Sequence, residues 1–247
     1  MYNQSAEIYD ALYIDGIGKD YEKDAETIKA IIRSLNPEAK TILDVACGTG
    51  EHARYLHTEF EIDGIDKEKR FVEIASKKLP QCNFTEADMK SFSLGKRYDV
   101  VQCLFSAIAY LTSFEELTAA LRCFREHLRD GGIIVIEPFI ERDVWKASSS
   151  GTTVVETADK KITRDHLTVE IGLTTCLQFE FTVEHLEQGE RGESRVERFR
   201  EEHHVALFNR DEILDCFAAA GLAAAYDEEG LSGRGLYVAR AVESGQN

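Results

Sequence analysis

The chain has 247 residues, of which 43% are hydrophobic, and it carries a formal net charge of −16. This length suits one large α/β domain or a domain with a cap, and the acidic balance argues against a nucleic-acid partner. The six cysteines occur singly, and the chain shows no signal peptide and no apolar run long enough to span a bilayer. We therefore expect a cytoplasmic protein with buried thiols and no membrane association.

The first part of the chain alternates amphipathic helices with short apolar strands. Asp20 is a candidate N-cap for a long helix, and Pro80 stops a later one. Helices are predicted over 5–12, 21–35, 51–58, 68–79 and 113–128, and strands over 40–45, 61–65, 83–89, 98–105 and 133–137, with a turn at 130–132. This alternation is typical of a doubly wound parallel sheet.

The pattern changes after residue 150. Residues 168–173 and 178–183 alternate apolar and polar side chains, which predicts antiparallel strands. A helix over 210–220 and strands over 223–227 and 236–240 then follow. We predict an α/β, doubly wound, Rossmann-like fold with an antiparallel β meander inserted after strand five. The predicted divisions are 1–150 for N-terminal cap helices and the cofactor-binding core, 151–207 for the insert, and 208–247 for completion of the core sheet.

The run from Thr41 to Gly50 predicts a ligand site. An apolar strand meets Asp44 and continues into a loop of small residues, Ala46, Gly48 and Gly50, before a helix begins. Such a loop brings backbone N–H groups close to a nucleotide-like ligand. The third glycine of a dinucleotide fingerprint and the Gly-Lys pair of a P-loop are both missing. The pattern therefore favours adenosine carrying an amino-acid tail over a dinucleotide or a triphosphate.

On these residues the chain resembles class I S-adenosylmethionine (SAM)-dependent methyltransferases, whose first motif has this form. Later strand ends agree with that resemblance. Asp66 would accept the ribose hydroxyls, Asp88 would bind the adenine amine, and Met89 would cover a ring face. The complete predicted cofactor set is Tyr21, Asp44, Ala46, Gly48, Gly50, Asp66, Lys67, Asp88, Met89, Leu104 and Phe105.

Other motifs resemble one branch of that fold, the bacterial N,N-dimethyltransferases of nucleotide-linked 3-amino-3,6-dideoxyhexoses. The more discriminating motifs are Gly-Lys-Asp-Tyr at 18–21 and Ser-Gly-Arg-Gly at 232–235. The resemblance implies a TDP-linked amino sugar whose amine faces the sulfonium methyl. It also implies that the enzyme takes part in antibiotic biosynthesis. Arg234 is then the candidate diphosphate clamp, with Lys19 and Ser106 as further substrate residues. Tyr9, Tyr13, Tyr110 and His203 are the candidate catalytic residues near the amine.

Two departures from that branch bear on the acceptor. Ala107-Ile108-Ala109-Tyr110 stands where the branch has Ser-Ile-Gly-His, and Phe139-Ile140 replaces Trp-Trp. Tyrosine is a poor base near neutral pH, so positioning dominates or the amine position differs. The pattern leaves open the amine position, the number of methyl groups and the need for a base.

Two alternatives compete with this hypothesis. One is a SAM-dependent methyltransferase of another small amine, hydroxyl or carboxyl acceptor, and the other is a non-catalytic SAM-binding module. No His, Cys and Asp set has metal-ligand spacing, so no metal is expected. The strands of the insert offer edges that could pair in a homodimer.

Overall fold

The computed structural model describes residues 2, 4–146, 149–186 and 195–242. Contacts divide the chain into two compact units. The larger unit consists of Tyr21–Trp145 and Ala206–Asn247, and the smaller unit consists of Met1–Asp20 and Lys146–Val205. The chain therefore passes from one unit to the other after residues 20, 145 and 205.

The larger unit is built on a seven-stranded sheet in the order β10-β11-β5-β4-β1-β2-β3. Its strands are β1 Thr41–Val45, β2 Glu61–Asp66, β3 Asn83–Glu86, β4 Tyr98–Cys103, β5 Leu128–Ile136, β10 Leu222–Asp227 and β11 Leu236–Ala241. Its helices are α1 Tyr21–Leu35, α2 Glu51–Leu56, α3 Lys69–Lys78, α4 Phe114–Glu126 and α5 Arg210–Ala219. Strands β1 to β5 are parallel, while β11 pairs antiparallel with both β5 and β10. The chain order reverses between β1 and β4, which is where ligands bind in such sheets.

Apolar residues pack on both faces of this sheet. All five residues of β1 are buried, as expected for a parallel strand covered on both sides. Leu43 and Val45 belong to one apolar cluster, which includes Leu117 of α4 and Phe217 of α5. Ile42 belongs to a second cluster, formed with apolar side chains of α1 and α2. The alternation along β1 thus sends successive side chains to opposite helical layers.

Two predicted boundaries differ from the structure. Strand β3 ends at Glu86, so Asp88 and Met89 lie in the loop that follows it. Strand β5 begins at Leu128, and the predicted turn at 130–132 is an irregularity inside that strand. Gly131 takes a φ of 75° there, so the Gly-Gly pair accommodates a β-bulge rather than ending the element.

The smaller unit contains a four-stranded antiparallel sheet in the order β6-β7-β8-β9. The strands are β6 Ser150–Glu156, β7 Lys160–Ile171, β8 Thr174–His185 and β9 Val196–Ala206. This sheet confirms the predicted meander after strand five. Alternate residues of β7, such as Ile162 and Arg164, are buried, whereas Asp165 and Leu167 point to the opposite, exposed face.

Residues 5–16 belong to this smaller unit. They form a 3₁₀ turn, Ser5–Ile8, and a π-helical turn, Ala11–Gly16. Leu12 packs in one apolar cluster with Val155 of β6 and Phe181 of β8. The sequence-based division placed residues 1–20 with the cofactor-binding core, whereas the contacts place them with the sheet of the insert. Within the described residues, no helix is both long enough and apolar enough to cross a membrane.

Candidate cofactor and substrate site

The loop between β1 and α2 has the backbone of a ligand cradle. Ala46, Gly48 and Gly50 take left-handed φ angles of 56°, 55° and 79°. A Cβ added at Gly48 would meet no heavy atom of the described chain within 4 Å. Gly48 thus leaves open space beside the loop, where a ligand can approach the backbone closely.

Asp66 connects this loop to the end of β2. Its carboxylate accepts hydrogen bonds from Gly48 N–H at 2.9 Å and from Glu68 N–H at 2.8 Å. Burial raises the pKa of Asp66 to about 6 despite these two hydrogen bonds. Each carboxylate oxygen retains capacity to accept a further hydrogen bond, as the predicted ribose role requires.

Asp44, at the end region of β1, is buried at 2% exposure. Burial raises the pKa of its carboxyl group, although the nearby His52 ring opposes the change. Its Oδ2 atom has no hydrogen-bond partner among the described residues. A buried carboxylate oxygen without a donor is costly, and the ammonium group of an amino-acid tail would supply one.

The rings of Tyr21 and Phe105 connect the start of α1 with the segment that follows β4. The Tyr21 ring lies edge-on to His52 at 4.8 Å between centroids and to Phe105 at 6.1 Å. His52 Nε2 in turn lies 3.1 Å from Asp24 Oδ2. The predicted cofactor residue Tyr21, the first residue of α1, is therefore fixed in a buried aromatic group.

Asp88 and Met89 follow β3 in the loop. Lys67 Nζ donates to Asp88 Oδ2 at 3.2 Å, and Lys90 N–H donates to Asp88 Oδ1 at 3.0 Å. Burial acts to raise the pKa of Asp88, but these hydrogen bonds outweigh it and the pKa is lowered. The carboxylate is thus ionised near neutral pH and able to accept from an amine, while Met89 packs partly against the core.

The end of β4 carries an unusual backbone. Phe105 and Ser106 take φ angles of 53° and 61°, and together with Ala46 they are the non-glycine residues with positive φ in the described chain. The left-handed region is unfavourable for these residue types. All three lie directly after the carboxyl ends of β1 or β4, so the local strain is concentrated at the ligand-binding edge of the sheet.

Glu137 holds the strained segment in place. It is fully buried, accepts from Phe105 N–H at 2.7 Å through Oε2, and accepts from the Ser232 hydroxyl at 2.5 Å through Oε1. Sequence reasoning did not assign Glu137 to the site. An acid immediately after an apolar strand was the available signal, but its partner Ser232 lies 95 residues later.

Ser106 and Arg234 are brought together in the same unit. Arg234 Nη1 donates to Ser106 Oγ at 3.0 Å, and Ser106 Oγ donates to the Pro138 carbonyl at 2.7 Å. The Tyr226 hydroxyl donates to the Arg234 carbonyl at 3.2 Å. Two residues predicted to bind substrate from distant parts of the sequence thus meet after β4. Tyr110 ends the short 3₁₀ turn Ala107–Tyr110 that follows Ser106.

The remaining predicted site residues belong to the smaller unit. Tyr9 and Tyr13 lie 4.4 Å apart between ring centroids, and Lys19 N–H donates to the Tyr13 carbonyl at 2.9 Å. His203 is buried at 1% exposure and its ring contacts Phe179. The structure therefore divides the predicted catalytic set, with Tyr110 in the larger unit and Tyr9, Tyr13 and His203 in the smaller one.

The structure bears on two predictions about reactive groups, the inert Cys47 thiol and the absence of a metal-ligand set. Burial raises the pKa of the Cys47 thiol well above its usual range, which disfavours a nucleophilic role. Contrary to the spacing argument, the sheet does bring a possible ligand set together. Atoms of Cys176, Glu202 and His204 lie within 4.8 Å of one another. Sequence spacing missed this group because its members come from two strands.

The cradle fits a SAM molecule. The donorless Asp44 oxygen suits the ammonium, the open space at Gly48 admits the ligand, and Asp66 suits the ribose hydroxyls. The family model for a methyltransferase domain matches residues 42–132, which span this cradle. The fold and the site thus define a SAM-dependent methyltransferase.

Comparison over the whole chain narrows the class. The dTDP-3-amino-3,4,6-trideoxy-α-D-glucopyranose N,N-dimethyltransferase of Streptomyces venezuelae is 37% identical over 94% of this chain and 96% of its own length. The crystal structure of S. venezuelae DesVI matches at 36% identity and a TM-score of 0.88, covering 96% of this chain and 98% of that one. The chain belongs to the family of sugar N-methyltransferases that these proteins represent. Membership makes it an enzyme rather than the non-catalytic module considered from its sequence.

A third relative shows the cofactor of the family. SAM-bound CalS10, an amino pentose methyltransferase involved in calicheamicin biosynthesis in Micromonospora echinaspora, matches at 31% identity. Its TM-score is 0.82, with coverage of 94% of this chain and 95% of that chain. The cofactor assignment to SAM therefore rests on a liganded relative as well as on the cradle.

Proposed function

We propose that this enzyme transfers methyl groups from SAM to the amine of a TDP-linked amino-deoxy sugar. The observation that carries the proposal is the Arg234 guanidinium, which donates to Ser106 directly after the strained end of β4. A planar guanidinium flanked by glycines, which carry no side chains to block a close approach, suits a diphosphate. The named activities of the relatives, on dTDP-linked amino sugars and on an amino pentose, support the same substrate class.

Bound SAM supplies an electrophilic methyl group on a sulfonium sulfur. The acceptor nitrogen must be neutral to attack it, and the two must be aligned. An amine with a pKa of roughly 8, comparable to an α-amino group, loses its proton readily near neutral pH. We infer that this chain contributes mainly positioning, with Asp44 and Asp66 orienting the cofactor and Arg234 the nucleotide. Tyr110, Tyr9, Tyr13 and His203 stay candidates for contact with the amine.

Mass spectrometry tests the proposal. The full-length enzyme is incubated with SAM and a panel of TDP-3-amino and TDP-4-amino deoxy sugars, and the added methyl groups are counted. Matched TDP-sugars with a hydroxyl in place of the amine serve as controls. We expect S-adenosylhomocysteine and a methylated amine with at least one member of the panel. Methylation of the hydroxyl controls, or of free amines alone, would contradict the proposed acceptor.

We further propose that the enzyme acts in the cytoplasm as a homodimer without nucleic-acid partners. Six buried cysteines without disulfides support a reducing compartment, and the net charge of −16 opposes contact with phosphate backbones. On the outer face of the four-stranded sheet, Leu167, Val169 and Ile171 follow one another along β7 and are 45%, 39% and 53% exposed. Contiguous exposed apolar side chains are typical of an interface, and a second copy would cover them through a self-complementary contact.

A further inference from the structure

The smaller unit contains a buried arginine whose charge is not balanced by the protein. Arg164, on β7, is 7% exposed, and no carboxylate of the described residues forms an ion pair with it. Guanidinium stays protonated in proteins, so the charge cannot be removed by a pKa shift. A buried charge without a counter-ion destabilises the fold. An unpaired buried cation of this kind therefore needs a separate explanation.

The neighbouring groups orient Arg164 without neutralising it. Its guanidinium carbon lies 5.6 Å from the Tyr13 ring centroid and 5.0 Å from that of Phe179. Its Nη2 atom donates a long hydrogen bond to Thr153 Oγ1 at 3.3 Å. Aromatic faces compensate a cation only in part. The two rings thus hold the position of the guanidinium while leaving donor capacity unused.

Two buried polar atoms on β7, one of Arg164 itself and one of His166, support a ligand role. Arg164 Nε and His166 Nδ1 are both buried and lack a hydrogen-bond partner within the described chain. Residues 164 and 166 share one face of the strand because side chains alternate. The buried carboxylate of Glu201 is already engaged by Ser5, whose hydroxyl donates to it at 2.6 Å. The unused groups on this face are therefore suited to an incoming anion.

We propose that Arg164 and His166 form an anion site that binds a phosphate group of a nucleotide. A planar guanidinium with adjacent donors matches the oxygens of a phosphate better than a point charge would. This inference rests on the proposed function in its choice of TDP as the nucleotide, while Arg234 belongs to the larger unit and its assignment is tested separately. It assigns a role to Tyr13 as well, because the Tyr13 ring faces the guanidinium.

Calorimetric titration of the full-length enzyme with TDP, thymidine and inorganic phosphate tests the site. Arg164→Met removes the charge and retains the length of the side chain. We expect the affinity for TDP to fall at least about tenfold, with the affinity for SAM unchanged. Thymidine, which lacks phosphate, should show no difference between wild type and variant. Arg195→Met, at an exposed arginine of the same unit paired with Glu197 at 2.8 Å, is the matched control and should change TDP affinity by less than about twofold.

Thermal unfolding without ligand separates a binding role from a structural one. If Arg164 is held for an anion, Arg164→Met should unfold at the same temperature as wild type or higher, because the variant buries no charge. A lower unfolding temperature together with unchanged TDP affinity would identify Arg164 as a structural cation and overturn the inference. Arg164→Lys keeps the charge without the planar fork, and its TDP affinity should lie between the other two; unchanged affinity in this variant would also count against the site.

The outcomes also distinguish this inference from the proposed function. Wild-type methylation of a TDP-amino sugar with Arg164-independent TDP binding would refute only the anion site. Arg164-dependent TDP binding without methylation of any TDP-amino sugar would support the anion site and contradict the proposed reaction.

Discussion

At the scale of single residues, Asp66 links cofactor binding to pH. Its pKa is raised from 3.8 to about 6 because the carboxyl group is buried. A carboxyl group with a raised pKa in the folded state stabilises the fold most below its unfolded pKa. That contribution is lost as the pH rises through about 6. The ionised form, which the proposed ribose role of Asp66 requires, is therefore obtained at some cost in stability.

We expect the affinity for SAM to decrease as the pH falls through about 6, where Asp66 gains a proton and can accept fewer hydrogen bonds. Calorimetry between about pH 5 and pH 8 checks this. Asp66→Asn should bind SAM roughly tenfold more weakly at neutral pH and show a flatter pH profile, with the remainder due to Asp44. An unaltered profile in this variant would remove Asp66 from the ribose role.

Glu137 offers a matched pair of substitutions. Glu137→Ala leaves the Phe105 N–H and the Ser232 hydroxyl without their acceptor, so we expect a loss of roughly 2–4 kcal/mol in the free energy of unfolding. Glu137→Gln keeps an acceptor and a similar volume and should lose less. Urea denaturation compares the two variants, and equal losses would show that volume rather than hydrogen bonding matters at this position.

Arg234→Ala should raise KM for a TDP-amino sugar at least about tenfold while leaving KM for SAM nearly unchanged. The reason is that the guanidinium contacts Ser106, which follows β4, rather than the glycine loop that follows β1. Steady-state kinetics with each substrate varied in turn measures both constants. Arg240→Ala, which loses a hydrogen bond to the Leu35 carbonyl on the opposite part of the unit, is the control. Equal changes in both KM values would reject the clamp.

Sequence reasoning at this scale could locate residues whose position depends on the end of a strand, and the binding roles assigned to them stay predictions. Asp44, Gly48 and Asp66 lie close to the ends of β1 and β2, and strand ends can be read from local pattern. It missed Glu137 because the partner Ser232 is remote in sequence. It missed Arg164 because an arginine on an alternating strand gives no indication of which face is buried.

At the scale of elements, the segment between β10 and β11 is constrained by close packing. Gly230 and Gly235 pair across it, and Gly235 takes a φ of 82°. A Cβ added at Gly235 would lie 2.0 Å from the Tyr226 hydroxyl. Gly233, in the same segment, has a φ of 75° but open space around it. A substitution at Gly233 therefore tests backbone strain alone, whereas a substitution at Gly235 tests backbone strain together with steric overlap.

Gly233→Ala should cost about 1 kcal/mol, from the left-handed backbone alone. Gly235→Ala should cost about 1–3 kcal/mol more, because Tyr226 must move. The displacement should also raise KM for the sugar, since Tyr226 bonds the Arg234 carbonyl. Thermal unfolding and kinetics of both variants check the order, and a Gly235→Ala variant as stable as Gly233→Ala would contradict the packing argument.

Element prediction was most accurate where periodicity was strong. The helix over 21–35 and the meander after residue 150 were confirmed. The turn predicted at 130–132 was wrong because a Gly-Gly pair is compatible with a turn and with a β-bulge alike, and pairing with β4 decides between them. Strand three was predicted too long because Ala87, Asp88 and Met89 also alternate apolar and polar side chains, although pairing ends at Glu86.

At the scale of the whole molecule, the exposed apolar face of the small sheet predicts its assembly. Leu167→Glu places a charge in the proposed interface and should shift the enzyme from dimer to monomer at micromolar concentration. Val144→Glu, at a residue that is 67% exposed in the larger unit, is the control and should leave the dimer intact. Size-exclusion chromatography with light scattering measures both. A monomeric wild type would refute the homodimer.

The grouping of residues 1–20 with the inserted sheet has a consequence for protein engineering. Leu12 from the N-terminal segment shares one apolar cluster with Val155 and Phe181 from the insert. A chimera that exchanged the insert alone between relatives would pack the N-terminal segment of one protein against the inserted sheet of another. The apolar side chains of this core would then not be matched to each other. Chimeras between relatives should therefore exchange the segments 1–20 and 146–205 together, as one discontinuous module.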